Sequence, residues 1–154
     1  MLPWGTLMEI TTLGHSSFVL KTKIGKLVTD QSGKIVIDGD SELITIAGPG
    51  EYEAKGFSVT GLAAGQNPVY LIEAEDIRIG LGQTQTELLE GVDILLADSW
   101  KDAQSLNPRV VIPLDEGKAA EFAKDSGLEP RKEKKLSINK LSLPEETELV
   151  ILER

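Results

Sequence analysis

Cysteine is absent from this sequence, and histidine occurs only once among its 154 residues. The lack of cysteine excludes disulfides, thiol nucleophiles, thiolate zinc sites and iron–sulfur clusters. The single histidine, His15, argues against any site built from several imidazoles. No apolar run approaches the about 20 residues of a membrane-spanning helix, and the N-terminus lacks the basic region of a signal peptide. We therefore expect a cytoplasmic protein that does not associate with membranes.

The sequence also has few positive charges. Acidic residues outnumber basic ones by 25 to 16, which gives a formal net charge of −9. This charge disfavours nucleic acid and anionic membrane surfaces as partners. Residues 129–140 are an exception, because they hold five basic and two acidic side chains. We interpret this segment as a solvated basic turn, and a patch that binds an anion or an acidic partner is the alternative.

The length predicts a single domain. We place it at residues 8–154, after an N-terminal extension of residues 1–7, and Met8 is an alternative start. Within the domain, short β-rich runs separated by turn residues dominate the first half, and helical stretches alternate with strands in the second. Strands are predicted at 8–13, 17–22, 26–30, 34–37, 42–47, 51–54, 57–61, 69–74, 77–81, 93–97, 109–113, 136–141 and 148–152. Helices are predicted at 84–90, 99–106 and 117–126.

Two of these segments carry the clearest structural signal. Residues 93–97 are apolar without alternation, which indicates a strand buried on both faces. Residues 117–126 are followed by Gly127, a residue that commonly ends a helix. Strands followed by alternating strands and helices predict an α/β or α+β domain. It would contain two sheets, or one bent sheet, with helices on at least one outer face.

Four motifs, in order, resemble a known family. They are Leu13-Gly14-His15-Ser16-Ser17-Phe18, Thr29-Asp30, Gly48-Pro49-Gly50-Glu51-Tyr52-Glu53 and Pro108-Arg109-Val110-Val111-Ile112-Pro113-Leu114. Together they resemble the metallo-β-lactamase superfamily, and within it the small lactonase-like branch typified by the ascorbate-6-phosphate lactonase. The resemblance implies a reduced αβ/βα sandwich. It also implies descent from hydrolases that use zinc, manganese or iron.

The departures from that family concern its metal ligands. The His-x-His-x-Asp-His loop is missing, and only 17 residues separate Asp30 from Gly48. In the family's pattern Gln83 stands where a bridging aspartate is expected, and Asp115 stands where a late histidine is expected. The resemblance therefore implies that the ligand set has been lost. We expect neither a metal nor another cofactor.

The remaining candidate residues define a remnant site. His15 is expected to be structural, bonded to the backbone or to Asp30, because a buried polar side chain needs a partner. His15, Asp30 and Asp115 are weak catalytic candidates, and the Asp38-Gly39-Asp40 sequence indicates a turn rather than a calcium loop. Carboxylates that could hold a metal instead are Asp38, Asp40, Asp98 and Asp115. The remnant site region comprises His15, Asp30, Asp40, Gln83, Asp115 and Trp100. For Trp100, packing in the core or at an interface is favoured over lining a ligand groove.

The hypothesis that fits these features is a non-catalytic binding or assembly protein on a hydrolase scaffold. Two alternatives stay open. One is a residual hydrolase that is metal-free or uses carboxylate ligands, and the other is a subunit that completes a site with another chain. The residues identify no ligand. A deleted loop should expose an apolar surface or a strand edge, so we expect a homo-oligomer formed through an edge strand or the face near Trp100.

Overall fold

The computed structural model describes residues 7–30, 34–38, 43–46, 48–63, 68–82 and 87–154. These residues form fourteen strands and two α-helices. The strands are β1 (Met8–Gly14), β2 (Ser17–Lys21), β3 (Lys26–Thr29), β4 (Ile35–Asp38), β5 (Leu43–Ile46), β6 (Gly50–Ala54), β7 (Phe57–Leu62), β8 (Val69–Ala74), β9 (Ile77–Gly82), β10 (Ile94–Ala97), β11 (Val110–Pro113), β12 (Arg131–Glu133), β13 (Leu136–Ile138) and β14 (Glu148–Leu152). The helices are α1 (Trp100–Leu106) and α2 (Ala119–Ser126).

The strands form two sheets. The first has six strands in the order β13-β1-β2-β3-β4-β5, and all of its neighbours are antiparallel. The second has eight strands in the order β12-β14-β11-β10-β9-β8-β7-β6. From β12 to β9 the neighbours are parallel, and from β9 to β6 they are antiparallel. The carboxyl ends of β9, β10, β11 and β14 consequently meet at one edge of the molecule.

Two apolar cores hold these layers together. One lies between the sheets, and the other lies between the eight-stranded sheet and the two α-helices. Strand β10 contributes to both cores, because Ile94 and Leu96 face the six-stranded sheet while Leu95 and Ala97 face the helices. The non-alternating apolar run is thus buried on both faces, as predicted. The two-sheet fold with helices on one outer face is confirmed.

Local signals explain both helices. Ser99 precedes α1, and its side chain accepts a hydrogen bond from the Asp102 backbone N–H, which caps the helix. Gly127 ends α2 with φ 71°, and its N–H donates to Ala123 O over 3.0 Å. No helix in the described segments is long and apolar enough to cross a membrane.

Three sequence predictions differ from the structure. The basic segment is not a simple turn, because Arg131–Glu133 forms β12 by pairing its backbone with β14. The strand predicted at 136–141 ends at Ile138, since Asn139 caps a 3₁₀ turn over residues 140–142. The helix predicted at 84–90 is a 3₁₀ turn over Glu87–Leu89, and residues 84–86 lie outside the described segments.

Candidate functional site

The edge at which the parallel strands end is the candidate site, and we call it the site edge. Asp98 follows β10, and Asp115 lies two residues beyond β11. The six-stranded sheet reaches the same edge, because the Arg154 side chain beyond β14 packs against Gly14 at the end of β1. A Cβ atom at Gly14 would lie 2.9 Å from Arg154 Cδ, and the φ of +86° at Gly14 also favours glycine. The site edge therefore carries Asp98 and Asp115 beyond the parallel strands, and Arg154 beside Gly14, the residue before His15.

Asp98 is held by a lysine that sequence reasoning missed. Lys118 Nζ lies 3.2 Å from Asp98 Oδ1 and donates a further hydrogen bond to the Asp98 carbonyl oxygen over 3.3 Å. About a third of each side chain is exposed, so the pair lies at the surface of the site edge. An ammonium group thus neutralises the carboxylate that follows β10.

Asp115 has a structural role at the next strand. Its Oδ1 accepts a hydrogen bond from the Gly117 N–H over 2.9 Å and caps the 3₁₀ turn Glu116–Lys118 that leads into α2. This turn also carries Lys118, the partner of Asp98. The two carboxylates after β10 and β11 therefore have internal partners and belong to one local arrangement.

Asp30 shapes the hairpin between β3 and β4. Its backbone N–H donates to Lys34 O over 3.0 Å, and its Oδ1 accepts from the Lys34 N–H over 3.0 Å. These bonds close the loop that follows β3. Asp30 is therefore placed to fix a loop, and it retains partial exposure.

His15 is not the buried histidine that the sequence predicted. It lies in the two-residue turn between β1 and β2, where His15 has φ 52° and Ser16 has φ 62°. Its side chain is exposed, so water can satisfy the ring nitrogens without a protein partner. Two successive positive φ angles match the tight hairpin turn that joins twisted strands.

We predict that His15→Ala leaves stability nearly unchanged. The exposed ring buries no hydrogen bond, so the change in unfolding free energy should stay within about 0.5 kcal/mol. Urea denaturation of the two proteins measures this change. The variant His15→Asn is the matched control. Asparagine favours positive φ, so the free energy of unfolding of this variant should equal or exceed that of the wild type. A loss of about 2 kcal/mol in both variants would contradict the exposed placement.

Asp38 lies away from the site edge. It pairs across the hairpin with Lys26, at the opposite end of β3 and β4 from Asp30. Lys26 Nζ lies 3.7 Å from Asp38 Oδ2, and both side chains are about half exposed. Asp38 therefore cannot share a metal with Asp30 in this arrangement. Asp40 and Gln83 lie outside the described residues.

Trp100 packs against the apolar core, as the sequence analysis favoured. The half-buried indole contacts the core beneath the helices. Beside it a surface cavity of about 290 Å³ follows one face of α1 and includes Ala103, Asn107, Leu128 and Glu146. Trp100 thus contributes to the outer helical layer.

Tyr70 is a second residue whose role sequence reasoning did not identify. It is 1% exposed, and its hydroxyl has no hydrogen-bond partner among the described residues. Its ring lies over Gly61, where a Cβ atom would come within 2.8 Å of Tyr70 Cε1 and 3.1 Å of Gly48 O. Burial raises the pKa of Tyr70 above 10.0, and nearby Tyr52 raises it further. The Tyr70 ring, whose hydroxyl is unpaired among the described residues, therefore packs against Gly61.

No protein-family model matches the chain, and no curated protein matches it. Among solved structures, the chain is similar to a protein from Thermotoga maritima that is described as a candidate Zn-dependent hydrolase of the metallo-β-lactamase superfamily. The TM-score is 0.71, the sequences are 22% identical, and the alignment covers 96% of this chain and 100% of the other. The chain has a metallo-β-lactamase-like fold. At this identity the similarity shows the fold alone.

The donor set at the site edge does not fit the metal that this fold implies. A catalytic zinc site typically takes three protein ligands and keeps one open position. Within the described segments, no group of three or more His, Asp or Glu side chains could hold a metal ion. Asp98 Oδ1 is instead paired with the Lys118 ammonium group over 3.2 Å.

Proposed function

We propose that this chain is a non-catalytic protein that acts through binding or assembly on a hydrolase-like scaffold. The observation that carries the proposal is the contact of 3.2 Å between Lys118 Nζ and Asp98 Oδ1. A metal-activated water needs an ion held by several ligands and open to substrate. Lys118 instead pairs with Oδ1 of the carboxylate that follows β10.

The neighbouring carboxylate supports the same proposal. Asp115 directs Oδ1 to the backbone of Gly117 and stabilises the turn that positions Lys118. Each of these carboxylates already has one oxygen engaged, Asp98 Oδ1 by an ammonium group and Asp115 Oδ1 by a backbone N–H. The local structure therefore favours a stable polar arrangement over a metal centre, and the fold does not by itself imply an activity.

We predict that the purified protein retains no stoichiometric zinc, iron or manganese. Elemental analysis after loading with each metal and dialysis measures this directly, and hydrolysis of lactones and phosphoesters is assayed on the same sample. The expected result is less than one equivalent of every metal and no turnover above a buffer control.

The matched variants are Lys118→Gln, which removes the ammonium group from Asp98, and Asp98→Asn, which removes the carboxylate. One retained equivalent of metal in the wild type, lost in Asp98→Asn together with hydrolysis, would contradict the proposal and favour a hydrolase with carboxylate ligands.

A further inference from the structure

The two outer strands of the eight-stranded sheet carry opposite charges. At one end of the strand order, β6 exposes Glu51 and Glu53. At the other end, β12 exposes Lys132, and Lys134 follows it. Arg131 in the same segment is paired with Glu133 and Glu148. No ion pair among the described residues uses Glu51, Glu53, Lys132 or Lys134.

Three of these unpaired side chains, Glu51, Glu53 and Lys132, share one face of the sheet. Glu51 and Glu53 alternate with Tyr52, which packs toward the core between the sheets, so both glutamates lie on the outer face. Lys132 is in parallel register with Ile151, which belongs to the core beneath the helices. Lys132 therefore also lies on the outer face.

The directions of the strands allow the two edges to pair. Strand β12 runs parallel to β14, β11, β10 and β9, and three antiparallel steps from β9 to β6 reverse that direction. If a second copy continued the sheet in the same orientation, its β6 would lie antiparallel to β12. A register that sets Lys132 opposite Glu53 also brings Lys134, one residue beyond β12, toward Glu51. Opposite charges that face each other directly across an antiparallel pair stabilise it.

The outer face beside β6 has room for the incoming side chains. A depression of about 290 Å³ is bordered by Glu51, Glu53, Ser58 and Thr60. Two carboxylates and two hydroxyls there offer acceptors to an ammonium group. Short charged edges normally prevent strand pairing between copies. Here the charges prevent β6 from pairing with β6 of another copy and β12 from pairing with β12. Only the pairing of β6 with β12 brings opposite charges together.

We propose that this chain self-associates head to tail, with β12 of one copy extending the sheet of the next copy beside β6, and with Lys132–Glu53 and Lys134–Glu51 as the contacts that select this register. The inference rests on the proposed assembly function and specifies its partner as a second copy of this chain. A heterologous contact of this kind forms a ring or an open chain of subunits.

Sedimentation velocity of the full chain, from about 10 to about 500 μM, tests the proposal at low and high salt. The wild type should show a mass that rises with concentration and falls at high salt, because salt screens exposed charges over about 10 Å or less. Lys132→Glu/Lys134→Glu and Glu51→Lys/Glu53→Lys should each weaken association about tenfold or more, since each turns attraction into repulsion. The matched control is Lys23→Glu/Lys124→Glu, which changes the charge of two exposed lysines elsewhere and should associate like the wild type.

Mixing the two edge variants gives the decisive measurement. Each variant alone has two edges of one sign, whereas a mixture offers unlike edges again, so association should return. A wild type of 16.7 kDa at every concentration would overturn the proposal. So would association that resists both edge variants, or a mixture that stays monomeric. The metal content and hydrolysis of the same preparation test the proposed function separately.

Discussion

Replacing Tyr70 by phenylalanine should stabilise the protein by about 1–3 kcal/mol, the cost of a buried polar group without a partner. The hydroxyl is buried and unpaired among the described residues, while the ring fills space over Gly61. Phenylalanine keeps the ring and removes the oxygen. For a chain of this size, each kcal/mol corresponds to about 2–4 °C in melting temperature. Calorimetry and urea denaturation of Tyr70→Phe measure the gain.

Tyr52→Phe is the matched control. The Tyr52 hydroxyl donates to Pro49 O over 3.3 Å, so its removal should cost about 0.5–1.5 kcal/mol. The two variants should therefore change stability in opposite directions. If Tyr70→Phe also destabilises the protein, the Tyr70 hydroxyl is hydrogen-bonded to a bound water or to a ligand group, and the prediction of an unpaired hydroxyl is wrong.

The pH dependence of stability gives a second measurement on Tyr70. Its pKa is raised above 10.0 in the folded protein, whereas the unfolded chain loses this proton near that value. Between the two values the folded state binds more protons, so this contribution is fully present below about pH 10 and is lost as the pH rises. The Tyr70→Phe variant does not lose stability in this way. The difference in unfolding free energy between the variant and the wild type should therefore grow from about pH 8 to about pH 10.5.

Much of the fold could be predicted because its strands have distinctive burial patterns. The apolar run in β10 indicates burial on both faces, and the structure places a sheet on one side and helices on the other. Strand β12 shows where such reasoning stops. Arg131–Glu133 contains no apolar side chain, and its extended form comes from backbone pairing with β14, which local sequence does not encode.

The site was harder to predict because its contacts join distant parts of the chain. Lys118 and Asp98 are 20 residues apart and meet because β10 and β11 end at the same edge. The sequence singled out Asp98 but gave no sign of its partner. His15 was expected to be a buried side chain bonded to the backbone or to Asp30, whereas it lies in a turn and is exposed to solvent.

Asp93→Ala should have the largest destabilising effect among these variants, a loss of about 3 kcal/mol. The Asp93 side chain is nearly buried, accepts the Arg78 N–H over 2.9 Å and lies 3.3 Å from Lys140 Nζ. Lys140 follows β13 of the six-stranded sheet, so this carboxylate connects the two sheets. Alanine would leave the Arg78 backbone donor unsatisfied at a nearly buried site, which costs about 1–3 kcal/mol. It would also remove the partner of Lys140, which is half exposed and adds about 1 kcal/mol or less. The melting temperature should fall by about 6–12 °C.

Two further variants separate the contributions to this effect. Asp93→Asn keeps an acceptor for Arg78 and removes only the charge, and Lys140→Met removes the ammonium group, which is about half exposed. Each should therefore cost about 1 kcal/mol or less, because a pair that is half open to water is screened. The double variant should cost little more than either single one, since both remove the same interaction. If Asp93→Asn is as damaging as Asp93→Ala, the ion pair with Lys140 rather than the hydrogen bond from the Arg78 N–H provides most of the stabilisation, and high salt should then reduce the loss.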